Sequence, residues 1–262
     1  MRPGRRLRAW TLVVLILFAA CGSSSPPASP SAGSNGAPPA HLLVVTHTAG
    51  FRHSSIPDGE ATIADLARQT GAFDVAYARN EAEVRRELTT EALRGVDAVA
   101  FVNTTGNLGI PDMAAFLTWI REGHGFVGVH SASDTYHDDP RYLEMLGNEF
   151  DTHGEQAEVE VVVDEPTHQA AAGLGPRLRI RDEIYRFRVN NRGQVSMLFS
   201  LDRYPADGLD RAGAPGDLPI AWYKAYGAGR VLYTALGHRE DVWQDARFRQ
   251  HLRGALLWAL RR

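Results

Sequence analysis

Three unbroken apolar runs leave this chain few ways to fold. They are Leu42-Leu43-Val44-Val45-Thr46, Ala98 to Val102 and Phe126 to Val129. A strand with apolar side chains at successive positions has two faces to bury, which fits a parallel sheet covered by helices on both sides. Phe73 to Tyr77 reads as a further strand. Helical segments lie between the runs. Ile56 to Gln69 places Ile63, Leu66 and Ala67 at helical spacing, and Gly71 closes it. Glu81 to Leu93 is a polar helical stretch. Pro111 opens a helix with Met113, Phe116, Leu117 and Ile120 on one face. Strands alternating with helices predict a doubly wound, mostly parallel α/β sheet.

The pattern changes after Asn148. Val159 to Val163, Leu178 to Val189 and Val195 to Leu201 are strands without clear helices between them, which predicts an antiparallel extension. Ile220 to Tyr226 and Arg230 to Ala235 form a hairpin around Gly227 and Gly229. Phe248, Leu252, Ala255, Leu256 and Ala259 make the apolar stripe of a last helix, near Asp245 to Leu260. Asp202 to Asp217 is a Gly/Pro/Asp-rich loop, either a lid or exposed connection.

The N-terminus reads as a processing signal. Arg2, Arg5, Arg6 and Arg8 precede an apolar run from Trp10 to Ala20 that is short for a membrane span. Leu17-Phe18-Ala19-Ala20-Cys21, followed by Gly22 and serines, resembles a bacterial lipoprotein signal, with Phe18 where such signals usually carry leucine. Residues 1–20 are then a signal peptide, and Cys21 carries a lipid. The alternative is an ordinary secretory signal. Residues 21–40 are Ser, Pro, Gly and Ala with almost no large apolar side chain, a flexible lipid-anchored tether. Residues 41–262 form one domain, long enough to bury its own core. Cys21 is the only cysteine, so no disulfide, thiolate ligand or thiol nucleophile is available once it is lipidated. The net charge is −3, and loss of the four leader arginines makes it −7. With no basic run, nucleic-acid binding is disfavoured.

Chemistry concentrates at the strand ends, where open α/β sheets bind ligands. Phe126-Val127-Gly128-Val129 ends in His130, followed by Ser131. Glutamine amidotransferase-like folds carry a Cys or Ser nucleophile at such a turn. Here the slot is His130, which excludes thiol-based amidotransfer; Ser131 has no G-x-S-x-G context. The segment from Thr46 to Ser54 is not a dinucleotide loop, and its Phe51 and His53 suit a sugar face and its hydroxyls. Glu183 and Tyr185 lie two apart, on one face of a strand. His238 ends the last strand. His130, Glu183 and His238 are the candidate catalytic residues. Phe51, His53, Ser131 and Tyr185 are the candidate substrate contacts. His130, His153, Glu183 and His238 are a candidate site for a divalent metal such as zinc, though no cofactor is fixed by spacing alone. His41, His124, His168 and His251 read as surface or packing histidines.

Four pieces together resemble one family. They are Val45 to His53, Gly125 to His130, Arg181 to Tyr185 and Gly229 to His238, and in order they cover residues 41–262. The chain resembles the ThuA-like, or trehalose utilisation, family. The resemblance implies a flavodoxin-type, class I glutamine amidotransferase-like sandwich and a role in disaccharide or keto-sugar metabolism.

Two functions compete. One is an enzyme acting on a disaccharide or 3-keto-sugar, an isomerase, lyase or hydrolase, in which His130 or Glu183 takes the proton next to a carbonyl while His53, His238 or a metal stabilises the enediolate. Plain glycoside hydrolysis needs two opposed carboxylates, and only Glu183 is well placed, with Asp134 second. The other is a lipid-anchored carbohydrate-binding protein without catalysis, using Phe51, Tyr136, Tyr185, Trp222 and Trp243. Both place the domain outside the cytoplasmic membrane, anchored through Cys21.

Overall fold

The computed structural model describes Met1, residues 38–212 and residues 215–262. Cys21 and nearly all of the expected leader and tether lie outside the described residues.

The apolar runs form the strands expected of them. β1 (Ala40–Val45), α1 (Ile56–Thr70), β2 (Phe73–Ala78), α2 (Glu81–Glu87), β3 (Ala98–Val102), α3 (Met113–Arg121) and β4 (Gly125–Val129) alternate along the first half. Every residue of β3 and β4 is buried, as a strand covered on both faces requires. α1 ends where Gly71 takes a left-handed conformation at φ 60°, which glycine adopts without steric cost. α3 begins two residues later than Pro111 predicts. The Asp112 side chain accepts the Ala115 N–H at 2.9 Å, so Asp112 caps the helix and Pro111 stays outside it.

The second half holds α4 (Pro140–Leu146), β5 (Phe150–His153), β6 (Ala157–Val163), β7 (Arg177–Asp182), β8 (Tyr185–Phe187), β9 (Ser196–Arg203), β10 (Pro215–Tyr226), β11 (Gly229–Thr234), α5 (Glu240–Gln244) and α6 (Ala246–Ala259). The main sheet has the order β2-β1-β3-β4-β11-β10-β9-β6-β7. Pairings from β2 to β11 are parallel, and those from β11 to β7 are antiparallel. The fold is thus α/β, with the antiparallel strands continuing the same sheet. The single strand expected over Leu178 to Val189 is two strands. β7 stays in the main sheet, and after Glu183 and Ile184 the chain turns so that β8 pairs with β5 in a separate ribbon.

Two apolar layers clasp the sheet. On one face Val44, Val102 and Val129 pack with Ile63 and Leu66 of α1 and with Leu252 and Leu256 of α6. On the other, Phe101 and Phe126 pack with Phe116 of α3 and Tyr142 of α4. Each such aliphatic or aromatic side chain gains about 1.5–3 kcal/mol from burial. β4 approaches α6 closely at Gly125, where a Cβ would lie 2.6 Å from the Ala259 carbonyl oxygen.

Candidate functional site

The parallel strands deliver their following residues to one edge of the sheet. His130 is the first residue after β4, and His238 follows β11, the neighbouring strand. His53 lies in the loop between β1 and α1. Glu183 sits at the break between β7 and β8. A cavity of about 240 Å³ opens here, lined by Phe51, His53, Asp134, Phe150, His153, Glu183, Tyr185 and His238. Clefts of about 440 and 380 Å³ lie elsewhere on the antiparallel extension. Their described lining is Glu, Asp and Arg beside short apolar patches, with no histidine.

His130 is fully buried in a left-handed conformation at φ 51°, unusual for a residue with a side chain. The conformation is held from several sides. Tyr233 donates its hydroxyl to the His130 carbonyl at 2.6 Å, and the His130 ring lies 4.2 Å from the Tyr185 ring, centroid to centroid. Nδ1 of His130 donates to the Ala235 carbonyl at 2.7 Å. That assigns the proton to Nδ1 and turns the Nε2 lone pair toward the cavity. Nε2 lies 3.4 Å from Glu183 Oε2 and 3.3 Å from His238 Nδ1. His238 Nδ1 is 3.2 Å from the same Glu183 oxygen. His53 completes the group, and one donor atom from each of the four residues lies within 4.8 Å of the others. Ser131 Oγ is 3.4 Å from His53 Nδ1.

The electrostatics couple the three imidazoles to Glu183. Burial, reinforced by His130 and His238, pushes the His53 imidazole down to about 3, so it is neutral at ordinary pH. Burial opposes ionisation of Glu183, but the neighbouring imidazoles of His130 and His238 outweigh it and hold the carboxyl well below its usual range. Burial also works against a charge on His238, yet the adjacent Glu183 raises its pKa.

The donor set fits a divalent ion. Three atoms separated by 3.2, 3.3 and 3.4 Å converge on one point. A proton between two of them leaves the third facing a lone pair. A tetrahedral ion with ligands at about 2.0–2.1 Å has donor-to-donor edges of roughly 3.3–3.4 Å. Three imidazoles and a carboxylate suit zinc or a similar borderline ion. The bond from His130 Nδ1 to Ala235 is the second interaction that ligating histidines ordinarily make.

The structure brings together most of the residues expected at the site and sets others apart. His130, Glu183 and His238 come together as expected. His153 does not join the donor group. It sits on the β5–β8 ribbon with a side chain 43 % exposed, and its Nδ1 faces the other Glu183 oxygen at 3.2 Å. His53, expected to touch substrate, takes that place instead. Ser131 is fully buried and supports His53 rather than lining the cavity. Phe51 and Tyr185 do line it, with Phe51 66 % exposed at the rim. Tyr136, Trp222 and Trp243 are core residues.

Asp182 was missed. It is fully buried, and its carboxylate accepts N–H groups from Gly237 at 2.7 Å, Glu183 at 3.0 Å and Arg239 at 3.2 Å. Those bonds bracket His238 and fix Glu183. The available signal was its place in β7, where Leu178, Ile180 and Asp182 share the inward face. Gly237 is held at its other end too. Its carbonyl accepts from Asn103 Nδ2 and from Trp243 Nε1, each at 3.0 Å, and its φ of 115° favours glycine. Part of the loop expected over Asp202 to Asp217 packs beside the site, where buried Asp207 forms a two-pronged ion pair with Arg186 at 2.6 and 3.0 Å.

A family model described as ThuA, trehalose utilisation, matches residues 41–259. Among solved structures, a ThuA-like protein from Bacteroides uniformis superposes with a TM-score of 0.68 at 21% identity, over 88% of this chain and 95% of that one. Another from Parabacteroides merdae gives 0.66 at 17% identity, over 84% and 90%. A β-galactosidase from Bacillus circulans gives 0.55 at 11% identity, over 84% of this chain and 31% of that one. At these identities the structural likeness is one of fold. No curated protein matches the sequence.

Proposed function

The chain belongs to the ThuA, trehalose utilisation, family, and from that premise we propose that it acts on a disaccharide or 3-keto-sugar by metal-assisted acid–base chemistry at the His53–His130–Glu183–His238 site. The observation that carries this reading is the convergence of His130 Nε2, His238 Nδ1 and Glu183 Oε2 on one point beside a sugar-sized cavity. His53, His130, Glu183 and His238 would hold the ion, whose contribution is Lewis acidity toward a sugar carbonyl or hydroxyl. Phe51 at the rim and Phe150 along the wall offer apolar faces to a sugar ring. Burial of the donors keeps bulk water from competing for them. A keto group acidifies the neighbouring C–H, so enolisation followed by isomerisation or elimination is the favoured reaction class.

The non-catalytic binder is less well supported. Of its five stacking aromatics, Tyr136, Trp222 and Trp243 are core, Tyr185 is buried against His130, and Phe51 alone is well exposed. The strong shifts of His53 and Glu183 fit an active site better than a binding groove. We place the domain outside the cytoplasmic membrane, tethered through lipidated Cys21.

The test is incubation with trehalose and with its 3-keto derivative, followed by NMR with and without chelator. Turnover of the keto-sugar that stops on chelation supports the reading. Ligand-induced shifts without turnover would replace it with the binding protein.

A further inference from the structure

Holding a cation would occupy the free lone pairs of His53, His130 and His238, and the remaining oxygen of Glu183, Oε1, faces His153 Nδ1 at 3.2 Å. Enolisation still needs a base at the cavity wall. Three other titratable groups line the cavity, Asp134, His153 and Tyr185, and burial raises the Tyr185 phenol well above its ordinary range, which leaves it no base. His153 has its Nδ1 engaged by the Gly154 carbonyl at 2.9 Å and by Glu183 Oε1 at 3.2 Å. Asp134 is engaged on one oxygen, where Oδ1 accepts from His137 Nε2 at 2.6 Å. No described residue hydrogen-bonds its Oδ2, and the side chain is 30 % exposed.

His137 is itself pinned. Its Nδ1 donates to Glu149 Oε1 at 2.6 Å, and Arg188 Nε holds Glu149 at 3.2 Å. An imidazole fixed at both nitrogens cannot rotate, so Asp134 is oriented as a catalytic carboxylate must be. Burial would lower the His137 pKa, but the hydrogen bonds to Asp134 and Glu149 raise it, keeping both ring N–H groups in place. The cluster ties the turn after β4 to the start of β5, two segments that line the cavity.

We propose that Asp134 is the general base of the site and that His137, backed by Glu149, is its positioning residue. This rests on the enolisation reading above. The C–H bond beside the substrate carbonyl breaks, and its proton forms an O–H bond at Asp134 Oδ2. The freed electron pair becomes the C=C π bond, and the carbonyl π pair moves onto oxygen. The proton then returns to carbon or exchanges with water at the partly exposed carboxyl.

The full chain loaded with zinc is placed in D₂O with a 3-keto-sugar, and exchange at the carbon beside the carbonyl is followed by NMR. Asp134→Asn is expected to slow exchange roughly 100-fold or more while zinc content and unfolding temperature stay at wild-type values. His137→Gln, which keeps a donor toward Asp134, is expected to retain more activity than His137→Phe, with the loss in kcat rather than KM. Independently of activity, the His137 Nε2–H proton resonance should be present in the wild type and vanish in Asp134→Asn, with the Nδ1–H resonance retained. Exchange within twofold of wild type in Asp134→Asn would overturn the assignment and leave enolisation standing. A zinc-loaded wild type that exchanges nothing would overturn the enolisation reading and this role with it.

Discussion

Asp182 gathers the N–H groups of Glu183, Gly237 and Arg239 on one buried carboxylate, which sets Glu183 and His238 relative to each other. Removing it leaves buried N–H groups unpaired, each costing about 1–3 kcal/mol. Asp182→Ala should therefore lose about 3 kcal/mol or more of stability in urea unfolding, and Asp182→Asn less, because one acceptor oxygen remains. Asp182→Asn should also weaken zinc binding about 10- to 100-fold by calorimetry, the usual range for a residue that orients ligands. Residues of this kind show how far the sequence could be read. His130, Glu183 and His238 stood out because each follows a strand. The place of His53 beside His130 and His238 could not be read, because it depends on the distance between the loop after β1 and the turn after β4. His153 looked equivalent to them on the page, and only its place on the exposed ribbon separates it.

Within the elements, β4 and α6 meet at Gly125, where a Cβ would lie 2.6 Å from the Ala259 carbonyl and 2.9 Å from Ala98 Cβ. Gly125→Ala should lift α6 and cost about 1–3 kcal/mol in thermal or denaturant unfolding, with zinc content unchanged. α6 also carries His251, fully buried, whose Nδ1 donates to the Ala170 carbonyl at 2.8 Å. Burial pushes this imidazole down to about 4, against an ordinary value near 6.5 in the unfolded chain. Between those values the unfolded chain binds more protons, so stability is full above about pH 6.5 and falls as pH drops toward 4, by on the order of 3 kcal/mol. His251→Leu should flatten that part of the stability–pH curve. Element types were legible from apolar runs and helical spacing. Their ends were less so, because they depend on single side chains. Asp112 rather than Pro111 starts α3, and the turn at Glu183–Ile184 splits what alternation alone reads as one strand.

For the whole molecule, strand alternation predicts a parallel sheet and its antiparallel extension, but not which strands become neighbours. β11 lies between β4 and β10 although β5 to β10 separate it from β4 in sequence. That insertion brings His238 beside His130, so the site exists only at the level of topology. The far edge strand, β7, turns Arg177, Arg179 and Arg181 outward, a charged edge that discourages pairing with another chain. If this topology assembles a cation site, the metal content of the purified protein after zinc loading and gel filtration shows it. One zinc per chain, reduced to a trace in both Glu183→Gln and His130→Ala while each variant remains folded, is the predicted result. Wild-type protein with no stoichiometric zinc, or variants that keep it, would contradict the account.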